Sequence, residues 1–283
     1  MIDSFPLVSV LMTSYNNERF IDEAIESVYL STYTNFELII VDDCSKDNSV
    51  MIARRWEEKD SRINVYVNKQ NLGDYPNRNR AASYAKGKYL KYVDCDDKIS
   101  KTCLEIMVSE MEMHPEAGLG LCTANETDIK ELSPLQAYND INGILEYYGP
   151  TGSIISRKHF YEIGKFKELV TVSDWDMWHR MAARWPIISF PSSLVLWRDH
   201  PDNTLKSVSH KIGVIKYYLQ TKEEIFKSVN CPLTYNESRE KLKKYNIEIF
   251  KYAFRTTVQK GNIYFLLLYF RHNFIFLLKR SYK

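Results

Sequence analysis

Three carboxylates stand within four positions at Asp94-Cys95-Asp96-Asp97, directly after Gly87 and the short β-prone run Tyr89 to Val93. Like charges this close repel one another, so a folded chain that keeps them together calls for a cation among them. Hard oxygen ligands favour Mg²⁺ or Mn²⁺ over zinc. A solvated, Asp-rich turn is the alternative for an isolated cluster. Two further polar groups, Thr13-Ser14-Tyr15-Asn16-Asn17 and Asp42-Asp43, also follow apolar runs. Their shared placement weighs against a mere turn.

Such groups act together only if the elements between them bring them to one place. Val8 to Met12 is apolar without alternation, as in a strand buried on both faces of a parallel sheet. Phe20, Ile21, Ala24, Ile25 and Val28 recur at helical spacing and predict a helix of about three turns. Phe36 to Val41 reads as a second strand, ending in Asp42-Asp43. Ser45 is the expected N-cap of a helix over about 48–59, and Ile63 to Val67 is a third strand. The loop Asn71-Leu72-Gly73-Asp74 leads to a helix marked by Ala81, Ala82 and Ala85, then to the fourth strand. This βαβαβαβ order predicts an α/β fold with right-handed crossovers and a mostly parallel sheet flanked by helices. Ligands of such sheets lie beyond the carboxyl ends of the strands, where all three polar groups fall. No GxGxxG follows the first strand and no GxxxxGK[ST] is present, which disfavours a dinucleotide oxidoreductase and a P-loop enzyme. Receiver domains also carry an acidic pair after a strand, but they are much shorter and do not require the Asp94 to Asp97 cluster.

With 283 residues and 45% hydrophobic content, the chain can bury a real core as one large domain or as one domain with an appendage. Cys44, Cys95, Cys103, Cys122 and Cys231 form no CxxC pair, which suggests free thiols in a reducing compartment. The amino terminus has neither a basic nor a long apolar signal segment, so a cytoplasmic start is expected. Residues 206–283 carry 16 Lys and Arg against 5 Asp and Glu, a net of +11, whereas residues 1–205 carry a net of −9. A basic, aromatic-rich tail suits an anionic membrane surface better than a nucleic acid, for which nothing else speaks. Residues 206–260 read as helices. The stretch 263–278 is shorter than the ~20 apolar residues of a spanning helix and is interrupted by Arg271. Residues 263–280 are therefore expected to lie at the inner face of the cell membrane, to pack on the rest of the chain, or to form a homodimer seam.

The ordered segments Val8 to Asn16, Phe36 to Asp47, Asn71-Leu72-Gly73, Gly87-Lys88-Tyr89 and Asp94 to Asp97 resemble the successive signatures of family 2 inverting glycosyltransferases with the GT-A fold. Gly152-Ser153, Gly164-Lys165-Phe166 and Asp174 to Arg180 are similar to that family's acceptor-side segments, so the resemblance covers about residues 7 to 200. It implies a catalytic domain over 1–205, with a nucleotide-binding half at about 1–98 and an acceptor-side half at about 99–205. A basic helical extension over 206–283 follows. It further implies that Thr13, Tyr15, Asp43, Gly73, Arg78 and Asp96 serve the nucleotide, Asp43 bonding the uracil imide while Asp42 is structural. Asp97, Asp96 and Asp94 would hold Mn²⁺ or Mg²⁺ at the diphosphate, with His200 a further candidate. Asp174 would be the general base, and Gly152, Ser153 and Trp175 would face the sugar or acceptor. The implied donor is a UDP-sugar, and the implied acceptor is a hydroxyl of a saccharide or a lipid-linked glycan. Three positions depart from the pattern: Cys44 where Gly is usual, Asn77 after Pro76 where Ala is usual, and Ser173 where Glu is usual.

The chemistry asks for these parts in its own right. A nucleoside diphosphate leaves only if its developing charge is stabilised, and an acceptor hydroxyl attacks only if a base takes its proton. Plainer roles stand beside these: Asp174 as a helix N-cap, Asp176 as a surface carboxylate, Trp175 and Trp178 as core, and His200 as a structural histidine. Two other functions also stay open. A non-catalytic nucleotide-sugar-binding or scaffold protein would bind UDP without turnover. A sugar nucleotidyltransferase would need a Gly-rich, Arg/Lys-bearing loop after its first strand, which Thr13 to Asn17 is not.

Overall fold

Uninterrupted apolar runs become buried strands. In a computed structural model, which describes residues 5–123, 128–140, 143–146, 149–169, 172–200 and 212–260, β1 (Val8–Ser14) has Val8, Val10, Leu11 and Met12 wholly buried. It pairs in parallel with β2 (Phe36–Asp42), which pairs in turn with β3 (Ile63–Val67). On its other side β1 pairs with β4 (Tyr89–Tyr92), again in parallel. Helices α1 (Ile21–Tyr29), α2 (Ser49–Lys59) and α3 (Asp74–Tyr84) make the crossovers, as the apolar spacing requires.

After β5 (Lys98–Ile99) and α4 (Cys103–Met113), the chain enters the second half of the sheet through β6 (Leu119–Thr123) and β7 (Lys130–Leu132). Then come α5 (Pro134–Asn139), β8 (Ser153–Ser156), α6 (Arg157–Glu162), α7 (Ser173–Ala182), β9 (Ile187–Pro191) and β10 (Val195–Leu196). The strand order is β3-β2-β1-β4-β8-β6-β9-β7, with β8 antiparallel to β4 and β6, β9 parallel to β6, and β7 antiparallel to β9. A two-stranded ribbon of β5 and β10 stands apart. The expected α/β fold with a mostly parallel sheet between helices is the one observed.

One close approach fixes where the acidic loop emerges. A Cβ on Gly87 would sit 2.5 Å from the Ser9 nitrogen and 2.6 Å from the Leu7 oxygen, so only glycine lets β4 start against β1. Ser9, the polar residue inside the apolar run, accepts from Gly87 N at 2.8 Å and donates to Glu37 Oε1 at 2.6 Å. Ser45 proves not to cap α2. Its amide and hydroxyl both bond the Asp42 carboxylate, at 2.8 and 2.5 Å, while Asn48 takes the N-cap position and Asp47 accepts from Ser49 N.

By compactness the chain divides into one unit of Met1–Glu168 with Ser173–Arg198, and another of Leu169–Val172 with Asp199–Lys283. The first holds the sheet and the apolar core. The second contains helices α8 (Ile212–Lys227) and α9 (Tyr235–Lys260), which meet through Phe226 and Tyr245, with Lys222 Nζ over the Tyr245 ring. The five cysteines are free thiols. Among the described residues no helix is long and apolar enough to cross a membrane.

Candidate active site

The acidic loop begins as soon as β4 stops. Asp97 N donates to Asp94 O at 2.9 Å, and this turn brings oxygens of Asp94, Asp96 and Asp97 within 4.8 Å of one another. Asp97 is buried, and burial together with the charges of Asp94 and Asp96 pushes its carboxyl up to about 7. The Arg198 amide donates to it at 3.1 Å, and this bond and the nearby Thr151 hydroxyl pull the other way. A divalent cation among these oxygens would relieve both the burial penalty and the repulsion, so the donor set fits Mn²⁺ or Mg²⁺.

Asp94 is held from the α3 side. Arg78 is buried and reaches Asp94 with Nη1 at 2.5 Å and Asp74 with Nε at 2.7 Å. Burial opposes its charge, but the two carboxylates outweigh that and lift the guanidinium well above its ordinary pKa. Beside it on α3, the Tyr75 hydroxyl donates to Asp174 Oδ1 at 2.9 Å. Trp175 N also donates to Asp174 Oδ1, at 2.8 Å, and Gly149 N donates to Oδ2 at 3.1 Å. One helix face therefore touches both the acidic cluster and Asp174. Burial raises the Asp174 pKa against these three hydrogen bonds and the Arg78 charge.

At the ends of β1 and β2 the loops interlock. Asp43 accepts from Asn68 Nδ2 and Leu72 N on Oδ1, at 2.7 and 2.8 Å, and from Gly73 N on Oδ2 at 2.9 Å. A carboxylate has roughly four acceptor sites, so one remains. Gly73 has φ of 88°, which favours glycine, and it starts α3. Thr13 is half-buried and Tyr15 exposed, and the Tyr15 backbone lies beside the Cys95 sulfur, bringing the first loop next to the acidic one. Cys44 adopts φ of 69°, a left-handed conformation that explains the family's usual glycine there. Asn77 is compensated differently. It donates to Val41 O at 3.1 Å and accepts from Asn68 Nδ2 at 2.8 Å, tying α3 to β2.

The family model described as Glycosyl transferase family 2 matches residues 9–171, more than half of the chain. The chain belongs to that family. An uncharacterized glycosyltransferase of Haemophilus influenzae is 28% identical, over 74% of this chain and 71% of its own length. The Escherichia coli UDP-Glc:α-D-GlcNAc-diphosphoundecaprenol β-1,3-glucosyltransferase WfgD is 40% identical over 37% of this chain, and the match spans 41% of that protein. The crystal structure of S. aureus TarS residues 1–349 with UDP-GlcNAc superposes with a TM-score of 0.74 at 18% identity, covering 94% of this chain and 79% of that one. At that identity the likeness shows the GT-A fold.

Other expected site residues of this family 2 transferase lie deeper than the sequence suggests. Trp175 is 1% exposed with its ring 4.1 Å from His179, so it offers no open face to a saccharide. Ser153 is wholly buried and donates to Pro150 O at 2.7 Å, and Gly152 lies beneath the Trp197 ring. Asp176 is no surface carboxylate. It is buried and paired with Lys167 at 2.8 Å and Arg180 at 2.6 Å. Ser173, standing where Glu was expected, is buried and its hydroxyl donates to Lys167 O. His200 is buried at the start of the second unit. The sequence pointed to neither Tyr75 nor Thr151, because each acts through a partner far along the chain. Lys91 is visible in the sequence as a charge inside an otherwise apolar strand.

Proposed function

We propose that this transferase moves a sugar from a nucleoside-diphosphate donor, UDP-linked, to a hydroxyl of a saccharide or lipid-linked acceptor, with inversion at the anomeric carbon. The observation that carries the reading is the convergence on one face of α3 of a three-carboxylate cluster, half-buried at Asp94 and Asp96 and buried at Asp97, and a separate buried carboxylate, Asp174. A cation held by Asp94, Asp96 and Asp97 would offset the charge of the leaving diphosphate. Arg78 keeps Asp94 in position. Asp43 shapes the Asn71 to Gly73 loop and keeps one acceptor site for a base edge, with Thr13 and Tyr15 at the same strand ends. Asp174 takes the proton of the attacking hydroxyl, and its Oδ2, which accepts from Gly149 alone among the bonds described above, is the atom to receive it. Burial makes that carboxylate a stronger base than one in water.

A UDP donor agrees with the ligand of TarS and with the donor in the name of the Escherichia coli relative, whose diphosphoundecaprenol acceptor supports a lipid-linked one here. Membrane docking through residues 263–280, and a homodimer seam there, concern residues outside those described. The deciding experiment offers a panel of UDP- and GDP-sugars with and without Mn²⁺. Metal-dependent release of UDP in the presence of an acceptor is expected. Pyrophosphate release, or binding without turnover, would overturn the proposal.

A further inference from the structure

The turn before β8 touches both halves of the site. Gly149, at φ of 95°, donates its amide to Asp174 Oδ2, and two residues later Thr151 engages the acidic loop. The Thr151 hydroxyl accepts from Asp94 N at 2.9 Å and faces the Asp97 carboxylate, whose pKa it draws down, so a single oxygen stands against the first and last members of the cluster. Thr151 is wholly buried, which leaves its side chain no solvent to turn towards.

Its backbone is pinned as well. Lys91, in the centre of β4, is 0% exposed, and its ammonium donates to the carbonyls of Thr151 and Tyr92. A buried ammonium costs several kcal/mol in desolvation unless its geometry is well satisfied. An apolar residue at this position would fill the strand without that cost, so the lysine needs a reason beyond packing. What it does here is hold the carbonyl of the residue whose hydroxyl orients the cluster.

We infer that Thr151, anchored by Lys91, is a positioning residue that sets the divalent-cation affinity of the Asp94-Asp96-Asp97 cluster while tying that cluster to the turn that orients Asp174. The inference rests on the cluster being the metal site. Partners that orient ligating carboxylates typically change metal affinity about 10–100-fold when lost.

The test measures Mn²⁺ binding to the full chain with saturating UDP, and with GDP in parallel, by electron paramagnetic resonance of free Mn²⁺. Thr151→Val keeps the shape and removes the hydroxyl. It should weaken Mn²⁺ binding about tenfold or more, while Thr151→Ser stays within about twofold of the parent. Lys91→Met should shift affinity in the same direction as Thr151→Val, and it carries the test if the valine variant fails to fold. The metal-free melting temperature is recorded for each, because a purely structural role would lower it without a selective loss of Mn²⁺. Parent protein that binds Mn²⁺, with Thr151→Val and Lys91→Met binding it equally well, would overturn the inference and leave the metal site standing. Parent protein that binds none would overturn the metal site itself.

Discussion

Asp174→Asn separates proton abstraction from everything else that residue does. In the parent, Oδ1 accepts from Tyr75 and Trp175, and Oδ2 accepts from Gly149. Asparagine can keep its oxygen on the first two donors, but its amide nitrogen then meets the Gly149 N–H, donor against donor, at a cost of about 1–3 kcal/mol. Loss of a buried charge offsets part of this. At roughly 2–4 °C per kcal/mol for a chain of this size, the melting point should fall by less than about 10 °C. The catalytic effect is larger. A general base contributes about 10²–10⁴-fold, or roughly 2.7–5.4 kcal/mol of barrier. UDP release would be followed in acceptor-saturated turnover, with UDP affinity measured separately by calorimetry in Mn²⁺. The expected variant is folded, binds UDP within about twofold of the parent, and turns over at least ~10²-fold more slowly. The pH profile supplies a second check. The base works only when ionised, and burial raises its pKa, so kcat/KM should fall with acid at a higher pH than for an ordinary carboxylate. That limb should vanish in the variant. A folded variant with turnover within about tenfold of the parent, or with the acid limb unchanged, would refute the assignment.

Tyr75→Phe removes a donor to ionised Asp174, worth about 1.5–3 kcal/mol, so the acid limb should move to higher pH and kcat/KM on that side should drop about tenfold or more. An even loss at all pH values would mean that Tyr75 only packs. Asp97→Ala should abolish the part of UDP affinity that depends on Mn²⁺, and calorimetry showing equal metal-supported affinity in parent and variant would count against it. Gly87→Ala forces a Cβ against the backbone of Leu7 and Ser9. A destabilisation of about 3 kcal/mol is expected, read as a melting point lower by about 6–12 °C, and an unchanged one would contradict the close approach. Full-length protein should pellet with anionic vesicles and lose most of that binding after truncation at Gly261, since each basic residue near such a surface contributes about 1 kcal/mol. Full-length protein that ignores vesicles and elutes as a dimer would favour the dimer seam.

The alternation of strands and helices was legible because local forces set it. Val8 to Met12 and Phe36 to Val41 have no polar alternation, which only a sheet covered on both faces accommodates, and parallel pairing then carries Thr13, Asp43 and Asp94 to the same edge. The carboxylate cluster was legible for the same reason: its members are neighbours in the chain. The use made of each side chain was not. Asp176 and Ser45 have the residue types of a surface carboxylate and an N-cap, yet Lys167 and Arg180 claim the first and the Asp42 carboxylate the second. Trp175 carries the aromatic ring of a sugar platform, but the packing of α7 buries it. Tyr75 meets Asp174 across 99 residues, and Thr151 bonds Asp94 across 57. Periodicity and turn chemistry report on near neighbours, whereas hydrogen bonds of that span exist only once β4, β8, α3 and α7 have packed, so tertiary structure alone decides which oxygen each donor finds.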